Sequence, residues 1–312
     1  MMVEGDGAPV SAEVESHLNL NFFQILRKPK SDRPWVTPPA TSSFALFRLF
    51  QSEVIQAPVS YHIYLPRAYE QQPLRRFPVI YWLHGSGPGV LGIPALTQYF
   101  HNAIQSGRIP PLIVVFPNGL PDGMWCNSKD GTQAIESMVI DELIPYIDNH
   151  YRTISDRSGR IIEGFSMGGY GAARLGLSYP DLFGAWSMMG AGPLQLDFLE
   201  DHPRLVPLES RLAIFASVFG NDMEYFESQS PWRIAQSKVE TLPEDLLIRQ
   251  IVGTADSMVV DNRRLHTHFT ELGVSHDYIE LQGIGHNTIQ VLNALGTSNF
   301  EFYNRALNKN DD

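Results

Sequence analysis

Residues 160–168, with the sequence RIIEGFSMG, combine a short apolar run with a Gly-x-Ser-x-Gly motif. The apolar run is typical of a buried strand, and residues 167–178 after it are typical of a short helix. A serine between such a strand and helix lies on a tight turn that exposes its hydroxyl group, and the flanking glycines leave room for neighbouring backbone. This context predicts that Ser166 is a nucleophile at the end of a central strand.

Further apolar runs predict the rest of a sheet around this strand. Nearly continuous apolar runs of about five residues indicate strands that are covered on both faces, as in a parallel sheet. They lie at residues 79–83, 112–116, 185–189, 246–252 and 278–281. Residues 44–50 and 59–65 alternate in character and predict two strands, antiparallel at one edge of the sheet.

Helical patterns separate these strands. A helix capped by Thr132 is predicted through residue 147, with a kink or restart at Pro145. Further helices are predicted at residues 167–178, at 261–272 with Gly273 as the terminating residue, and at 287–307. The alternation of strand and helix predicts an α/β fold with a mostly parallel central sheet and helices on both faces. Residues 193–243 break this rhythm, and we expect a short cap insertion there.

A serine becomes a nucleophile only when an imidazole accepts its proton and a carboxylate orients the imidazole. On a fold with this kind of serine turn, the acid and then the histidine follow the serine along the chain. Asp256 follows the strand at 246–252, and His286 lies in the glycine-rich loop after the strand at 278–281. The sequence therefore predicts a Ser166, Asp256, His286 triad. Asp261 is the alternative acid, although its position is better explained by helix capping.

The loop His84-Gly85-Ser86-Gly87, at the end of the strand at 79–83, predicts the second part of an acyl-transfer site. An oxyanion that develops during acyl transfer requires backbone N–H donors that are already in place. We expect these from Ser86 and from Met167, directly after the nucleophile. Residues 87–92 also fit the Gly-x-Gly-x-x-Gly pattern of dinucleotide sites, but Pro88 removes one backbone donor and the isolated match is weak.

Three side chains are predicted to contact a substrate. Trp125 lies in a loop that reaches the same edge of the sheet, where an indole would form an apolar wall. Trp232, within the expected cap insertion, and His84 complete this group. Glu163 ends the central strand, and we expect it to be a buried, hydrogen-bonded acid that supports the serine turn.

Composition excludes several classes of protein. The chain has 312 residues, a formal net charge of −11 and one cysteine, Cys126. An acidic chain whose arginines cluster only in pairs lacks the basic patch that nucleic acids require. A single cysteine excludes an internal disulfide and an all-cysteine metal site. No apolar run approaches the roughly 18 residues needed to span a membrane, so no membrane partner is expected.

The first 43 residues differ from the rest of the chain. Four prolines between residues 29 and 39 interrupt any regular helix or central strand, so we expect an N-terminal arm (1–43) before a catalytic domain (44–312). The first eleven residues are partly acidic and lack an apolar segment, unlike a signal peptide. This favours a cytoplasmic location and leaves a secreted mature form open. Assembly into a homo-oligomer also stays open.

The motifs together resemble the α/β-hydrolase superfamily, and within it the esterase D-like group. That group includes feruloyl and acetylxylan esterases of carbohydrate esterase family one, S-formylglutathione hydrolases and mycolyltransferases. The resemblance runs from about residue 44 to the C-terminus. Its motifs are FPVIYWLHGSG (77–87), ELIPYIDNHY (142–151), GFSMGGYGAA (164–173), YPDLFG (179–184) and GTAD (253–256).

The resemblance implies a serine carboxylesterase with nucleophile Ser166, acid Asp256, base His286 and the oxyanion amides of Ser86 and Met167. It implies no metal and no organic cofactor. We expect a small-molecule ester as substrate, with a short acyl or aryl group of the acetyl or feruloyl type. Three alternatives stay open: an acyltransferase that uses the same acyl-enzyme, a thioesterase of the S-formylglutathione type, and a non-catalytic binding protein on this fold.

Overall fold

The structure is a computed structural model, and it describes residues 35–192 and 207–307. Its centre is an eight-stranded sheet. The strands are β1 (Ala45–Ser52), β2 (Ala57–Tyr64), β3 (Val79–Leu83), β4 (Ile113–Pro117), β5 (Arg160–Phe165), β6 (Ala185–Met189), β7 (Leu247–Gly253) and β8 (Asp277–Leu281). The strands agree closely with the apolar runs, because a strand covered on both faces is formed mostly of apolar residues.

The strand order is β1-β2-β4-β3-β5-β6-β7-β8. β1 pairs antiparallel with β2, which pairs antiparallel with β4, and every later pair is parallel. The predicted antiparallel edge is therefore confirmed. β5, the strand before Ser166, lies between β3 and β6 in the interior of the sheet. The carboxyl ends of β3, β5, β6, β7 and β8 all point to one edge, where ligands bind in folds of this kind.

Helices connect the strands. They are α1 (Ala68–Gln71), α2 (Ile93–Gln105), α3 (Ile135–Ser137), α4 (Ile144–His150), α5 (Met167–Ser178), α6 (Leu208–Phe219), α7 (Met223–Gln229), α8 (Pro231–Lys238), α9 (Val259–Leu272), α10 (Thr288–Leu295) and α11 (Thr297–Leu307). A π-helical segment (Met138–Leu143) joins α3 to α4. Among the described residues, no helix is long and apolar enough to cross a membrane.

Two hydrophobic cores cover the two faces of the sheet. Alternate residues of one strand belong to different cores: Ile162 faces one core and Ile161 the other. The first core contains residues of α5 and of α6 to α9, and the second contains residues of α2, α10 and α11. The expected mostly parallel sheet with helices on both faces is confirmed.

Two helix predictions need correction. The helix expected from Thr132 begins at Ile135, because the hydroxyl and N–H groups of Thr132 instead donate to Asp130. The predicted restart at Pro145 agrees with the structure: Pro145 lies in the first turn of α4, after the π-helical segment. Because proline lacks the N–H group that would continue the α-helical pattern, the hydrogen bonding changes before it. The helix expected at 287–307 is divided at Gly296, where φ is +53°.

The described part of the expected cap insertion consists of α6, α7 and α8, between β6 and β7; residues 193–206 lie outside the described residues. These helices pack against α5 and the segment after β4: Tyr170 of α5 donates to the carbonyl of Gln229, and Tyr225 donates to that of Asn127. Residues 1–34 of the expected N-terminal arm also lie outside the described residues. The division into arm, domain and cap stays a prediction.

Candidate active site

Ser166 occupies the turn between β5 and α5 with φ +60° and ψ −122°. A non-glycine residue at positive φ is strained, and such strain is concentrated at functional sites. The backbone N–H of Ser166 donates to the carbonyl of Met189, at the end of β6, over 2.9 Å. The neighbouring strand therefore helps to hold this turn in place.

The glycines of the motif are required by close backbone contacts. A Cβ atom on Gly168 would lie 1.9 Å from the carbonyl oxygen of Leu83, and one on Gly164 would lie 2.3 Å from the carbonyl oxygen of Gly168. No side chain fits at such separations. The helix α5 can therefore start against the end of β3, which brings Ser166 next to the loop that follows β3.

His286 lies between Ser166 and Asp256 and contacts both. The Nε2 atom of His286 is 2.9 Å from the Oγ atom of Ser166. The Nδ1 atom is 2.9 Å from Oδ1 and 2.8 Å from Oδ2 of Asp256. Because a carboxylate only accepts, Nδ1–H is the donor, which leaves the Nε2 lone pair facing the serine hydroxyl. The three residues that the sequence selected are in direct contact, in the order that general-base activation of a serine requires.

The loops that carry Asp256 and His286 are joined to each other. Ala255 N–H donates to the carbonyl of Ile284 over 3.0 Å, and Gly283 N–H donates to Oγ1 of Thr254 over 2.8 Å. Asp256 is buried and also accepts from the N–H of Met258 over 2.8 Å. The loops that position the carboxylate and the imidazole are therefore joined by one backbone–backbone hydrogen bond and by one bond to the side chain of Thr254.

Two residues that sequence reasoning missed complete this arrangement. The ring of Phe165 packs against the imidazole of His286, with 4.6 Å between ring centroids. Gly190, directly after β6, lies close to the carboxylate of Asp256: a Cβ atom on Gly190 would be 2.9 Å from Oδ2 of Asp256. Gly190 comes directly after a predicted strand at the site edge, and that position was the only signal available for it.

The predicted oxyanion donors belong to two elements that meet at the serine turn: an ideal Cβ atom on Gly85, the residue before Ser86, would lie 3.2 Å from the Cβ atom of Ser166. Met167 is the first residue of α5, so its N–H has no acceptor within the helix. Ser86 lies in the loop after β3, two residues beyond His84. The role of this pair as oxyanion donors stays a prediction.

His84 is held through both ring nitrogens. Nδ1–H donates to the carbonyl of Gly85 over 2.7 Å, and Nε2 accepts from the N–H of Gly119 over 3.1 Å. Burial lowers the pKa of His84 to about 4, against the smaller opposing effect of the Gly85 carbonyl. The ring is therefore neutral near pH 7. The predicted contact of His84 with a substrate stays a prediction, and a contact through either ring nitrogen would require one of these bonds to break.

The two predicted substrate-contacting tryptophans differ in their surroundings. Trp125 is fully buried beneath the loop after β3, where its indole Nε1–H donates to the carbonyl of His84 over 3.1 Å. A side chain without exposed surface does not form the wall of an open pocket, so Trp125 supports the loop instead. Trp232 stacks on His268 of α9, with 3.8 Å between centroids and 6° between planes. Its predicted contact with substrate stays a prediction.

Glu163 is buried and paired in the core behind the serine turn. Its carboxylate accepts from Nη2 of Arg249 over 2.9 Å and from the hydroxyl of Tyr303 over 2.7 Å. Both members of the ion pair are almost without solvent exposure. Glu163 therefore joins β5 to β7 and to α11, as a buried acid with hydrogen-bond partners.

The sheet order, the strained serine turn and the residues collected at the carboxyl edge define the α/β-hydrolase fold. The chain belongs to the family described as "Putative esterase", whose profile matches residues 52–303. Both the expected fold and the expected family relationship are confirmed.

Two curated relatives carry esterase names. An "Endo-1,4-beta-xylanase/feruloyl esterase" of Xylanibacter ruminicola is 32% identical over 148 residues, which are 45% of this chain and 20% of that protein. "Esterase Rv1288" of Mycobacterium tuberculosis is 33% identical over 160 residues, 48% of this chain and 33% of that protein. The chain thus spans between a fifth and a third of the length of these relatives.

Solved structures share the fold. A ferulic acid esterase superposes with a TM-score of 0.68 at 23% identity, over 85% of this chain and 99% of that chain. An S-formylglutathione hydrolase from Agrobacterium tumefaciens has a TM-score of 0.68 at 16% identity, over 87% of this chain and 99% of that chain. At these identities the likeness concerns architecture.

Proposed function

We propose that this protein is a serine carboxylesterase that works through an acyl-enzyme on Ser166. The observation that carries the proposal is the continuous contact from Asp256 through His286 to Ser166, with 2.8 Å and 2.9 Å between the facing atoms. Membership of the esterase family supports ester bonds as the target.

In the first half-reaction, Oγ of Ser166 bonds to the carbonyl carbon of the ester while Nε2 of His286 takes the serine proton. The imidazolium that forms is stabilised by the ionised carboxylate of Asp256, which keeps its own charge. The carbonyl oxygen becomes an oxyanion and accepts from the N–H groups of Ser86 and Met167. His286 then gives its proton to the leaving alcohol, and the ester C–O bond breaks.

In the second half-reaction, water attacks the acyl-enzyme. His286 takes a proton from the water as its oxygen bonds to the carbonyl carbon, and the same two amides stabilise the second oxyanion. The proton then passes to Oγ of Ser166 as the acyl bond breaks. The products are a carboxylic acid and the restored serine hydroxyl. Every proton in this cycle is carried by His286.

The proposed substrate class is esters with a short acyl or aryl group, of the acetyl or feruloyl type. The relative from Xylanibacter ruminicola, whose printed name includes feruloyl esterase, supports this choice. A panel of acetyl, feruloyl and long-chain acyl esters tests it. A higher kcat/KM for the long-chain esters would contradict the proposed class without affecting the proposed nucleophile.

The nucleophile is tested with Ser166→Ala, measured on p-nitrophenyl acetate and with a fluorophosphonate probe. We expect kcat to fall by roughly 10⁴ to 10⁶ and probe labelling to disappear, since triad residues act as a unit. Ser178→Ala, at the other end of α5, is the matched control and should label like the wild type. Labelling of Ser166→Ala at the wild-type rate would show that another residue is the nucleophile.

A further inference from the structure

The indole of Trp125 fills a gap between two backbone segments. A Cβ atom on Gly119 would lie 2.6 Å from the indole ring, and one on Gly171 would lie 2.5 Å from it. Gly171 belongs to α5, four residues after Met167. One side of the ring is thus in contact with the helix whose first N–H is the proposed second oxyanion donor.

The same indole also holds the loop that follows β3. Its Nε1–H donates to the carbonyl of His84 over 3.1 Å, and its ring meets the imidazole of His84 edge to face at 4.9 Å. Gly119 N–H donates to Nε2 of His84, and Gly87 N–H donates to the carbonyl of Pro121 over 2.9 Å. The segment 119–125 therefore fixes this loop on both sides of Ser86, at His84 and at Gly87.

The segment that carries Trp125 is strained. Leu120, Met124 and Trp125 have φ of +59°, +52° and +54°, in the region that favours glycine, and all three are buried. Such a backbone costs on the order of 1 kcal/mol or more per residue and persists only where its surroundings over-determine it.

The ion pair between Arg174 of α5 and Glu136 helps to hold the strained backbone at Trp125. Nη1 of Arg174 donates to the carbonyl of Trp125 over 3.2 Å, and Nη2 of Arg174 pairs with Glu136 over 2.6 Å. The side chain of Arg174 is nearly without exposed surface. Trp125 is thus fixed to α5 through its backbone as well as through its ring.

We propose that Trp125 is a positioning residue that sets the separation between the two oxyanion donors, Ser86 and Met167. The inference rests on the proposed esterase function and extends it to a fully buried side chain outside the triad. The strained segment places the indole between the two elements that carry the donors. Its contact with Gly171 and its hydrogen bond to His84 then fix one element relative to the other.

A change in the separation of the two donors acts specifically on the transition state. The oxyanion donors make their strongest bonds only when charge develops on the carbonyl oxygen. A shift of one donor relative to the other therefore lowers kcat and leaves KM little changed. Replacement of the ester carbonyl oxygen by sulfur weakens the same bonds, because sulfur accepts hydrogen bonds poorly. With both donors in place, kcat/KM is therefore higher for an ester than for its thionoester. When one donor is displaced, this ester-to-thionoester ratio is smaller.

The test is Trp125→Phe, which removes the Nε1–H donor and part of the ring. Trp186→Phe is the matched control: Trp186 is fully buried on β6, and its ring packs against Gly176 of α5 in the same way. Its Nε1–H has no hydrogen-bond partner among the residues that the structure describes. The two variants therefore lose similar packing, but only Trp125→Phe loses a contact with the loop of Ser86.

We expect Trp125→Phe to lower kcat by roughly 10-fold to 100-fold and to lower the ester-to-thionoester ratio of kcat/KM by a similar factor, with KM little changed. Trp186→Phe should leave both quantities near the wild-type values. Thermal unfolding of each variant measures the loss of packing separately. If Trp125→Phe does not fold, Gly171→Ala replaces it, since a methyl group there displaces the indole and keeps its N–H.

A fall in kcat that leaves the ester-to-thionoester ratio unchanged would overturn the inference, as would equal effects of Trp125→Phe and Trp186→Phe. These failures differ from failure of the proposed function. If Ser166→Ala is inactive while Trp125→Phe keeps the wild-type ratio, only the positioning role is lost. If Ser166→Ala keeps its activity, the nucleophile is wrong and the positioning role is lost with it.

Discussion

Asp256 accepts from Nδ1–H of His286 through both carboxylate oxygens, at 2.9 Å and 2.8 Å. This contact selects the tautomer of the imidazole in which Nε2 is free to accept the proton of Ser166. The carboxylate is buried and fixed by the N–H of Met258, so the selection does not depend on an exposed, mobile group.

Asp256→Asn should lower kcat by about 10⁴ with little change in KM, because an amide donates to the ring and favours the wrong tautomer. Hydrolysis of p-nitrophenyl acetate measures the effect. Asp261→Asn is the matched control, since Asp261 is the alternative acid from the sequence and lies in the first turn of α9. An equal fall in kcat for both variants would argue against Asp256 as the orienting acid.

The core of the site was predictable because its signals are local. The end of β5, the serine turn and α5 follow from an apolar run, close-packed glycines and a helical pattern, and the predicted bounds of α5 match residue by residue. The chain order of the acid and the histidine also follows from the fold. The hydrogen bonds between the acid and the histidine could not be derived from the sequence, because these bonds depend on how the loops after β7 and β8 pack together.

The surroundings of the site were less predictable because they depend on contacts between distant segments. Trp125 is separated from Gly171 by 46 positions in the numbering, and nothing near it in sequence shows that its ring fills a gap against α5. The sequence around His84 does not show that both ring nitrogens are bonded to backbone groups. A loop residue at the correct edge of a sheet is equally consistent with a pocket wall and with a buried support.

Gly190→Ala should disturb the acid and the base together. The new Cβ atom would lie 2.9 Å from Oδ2 of Asp256 and 3.4 Å from Nδ1 of His286, so one or both must move. We expect kcat to fall by roughly 10-fold to 100-fold, because small displacements of reacting groups reduce rates strongly. Steady-state kinetics with p-nitrophenyl acetate measures the change.

Gly131→Ala is the control for the backbone effect of that substitution. Gly190 and Gly131 both have positive φ, +49° and +72°, but a Cβ atom on Gly131 meets nothing within 4 Å. Gly131→Ala should therefore lower stability by about 1 kcal/mol and leave kcat unchanged. If Gly190→Ala lowers stability by the same amount without lowering kcat, its contact with the triad has no catalytic importance.

Glu163→Gln should lower the free energy of unfolding by about 3 to 5 kcal/mol, because it leaves the buried guanidinium of Arg249 without its counter-charge. Arg249→Met removes the charge itself. In the double variant the unpaired guanidinium is gone, so the loss should be smaller than the sum of the two single losses by at least about 1 kcal/mol. Urea unfolding of the four proteins measures this coupling, and additive losses would show that the pair contributes no mutual stabilisation.

Stability should fall as the pH is lowered from 7 to 5, because two histidines, the buried His62 and the half-buried His84, cannot take up a proton without loss of a contact. Burial lowers the pKa of His62 to about 4 and that of His84 to about 4. In each ring Nε2 accepts a backbone N–H, from Ala40 and from Gly119, and a protonated Nε2 would face that N–H. The unfolded chain takes up these protons near the ordinary pKa of about 6.5, so it binds more protons than the folded protein between pH 6.5 and 4.

The sign of this effect gives a direct test. Stability is complete above about pH 6.5, declines as the pH falls towards 4, and at pH 5 each histidine accounts for a loss of about 2 kcal/mol. His62→Gln removes one titrating group far from the triad, and its side-chain oxygen can still accept from Ala40. We expect urea unfolding of this variant to show a loss between pH 7 and pH 5 that is smaller than the wild-type loss by about 2 kcal/mol. Parallel stability curves for the two proteins would mean that His62 takes up its proton as readily in the folded protein as in the unfolded chain, and the buried hydrogen bond to Ala40 would then not control its charge.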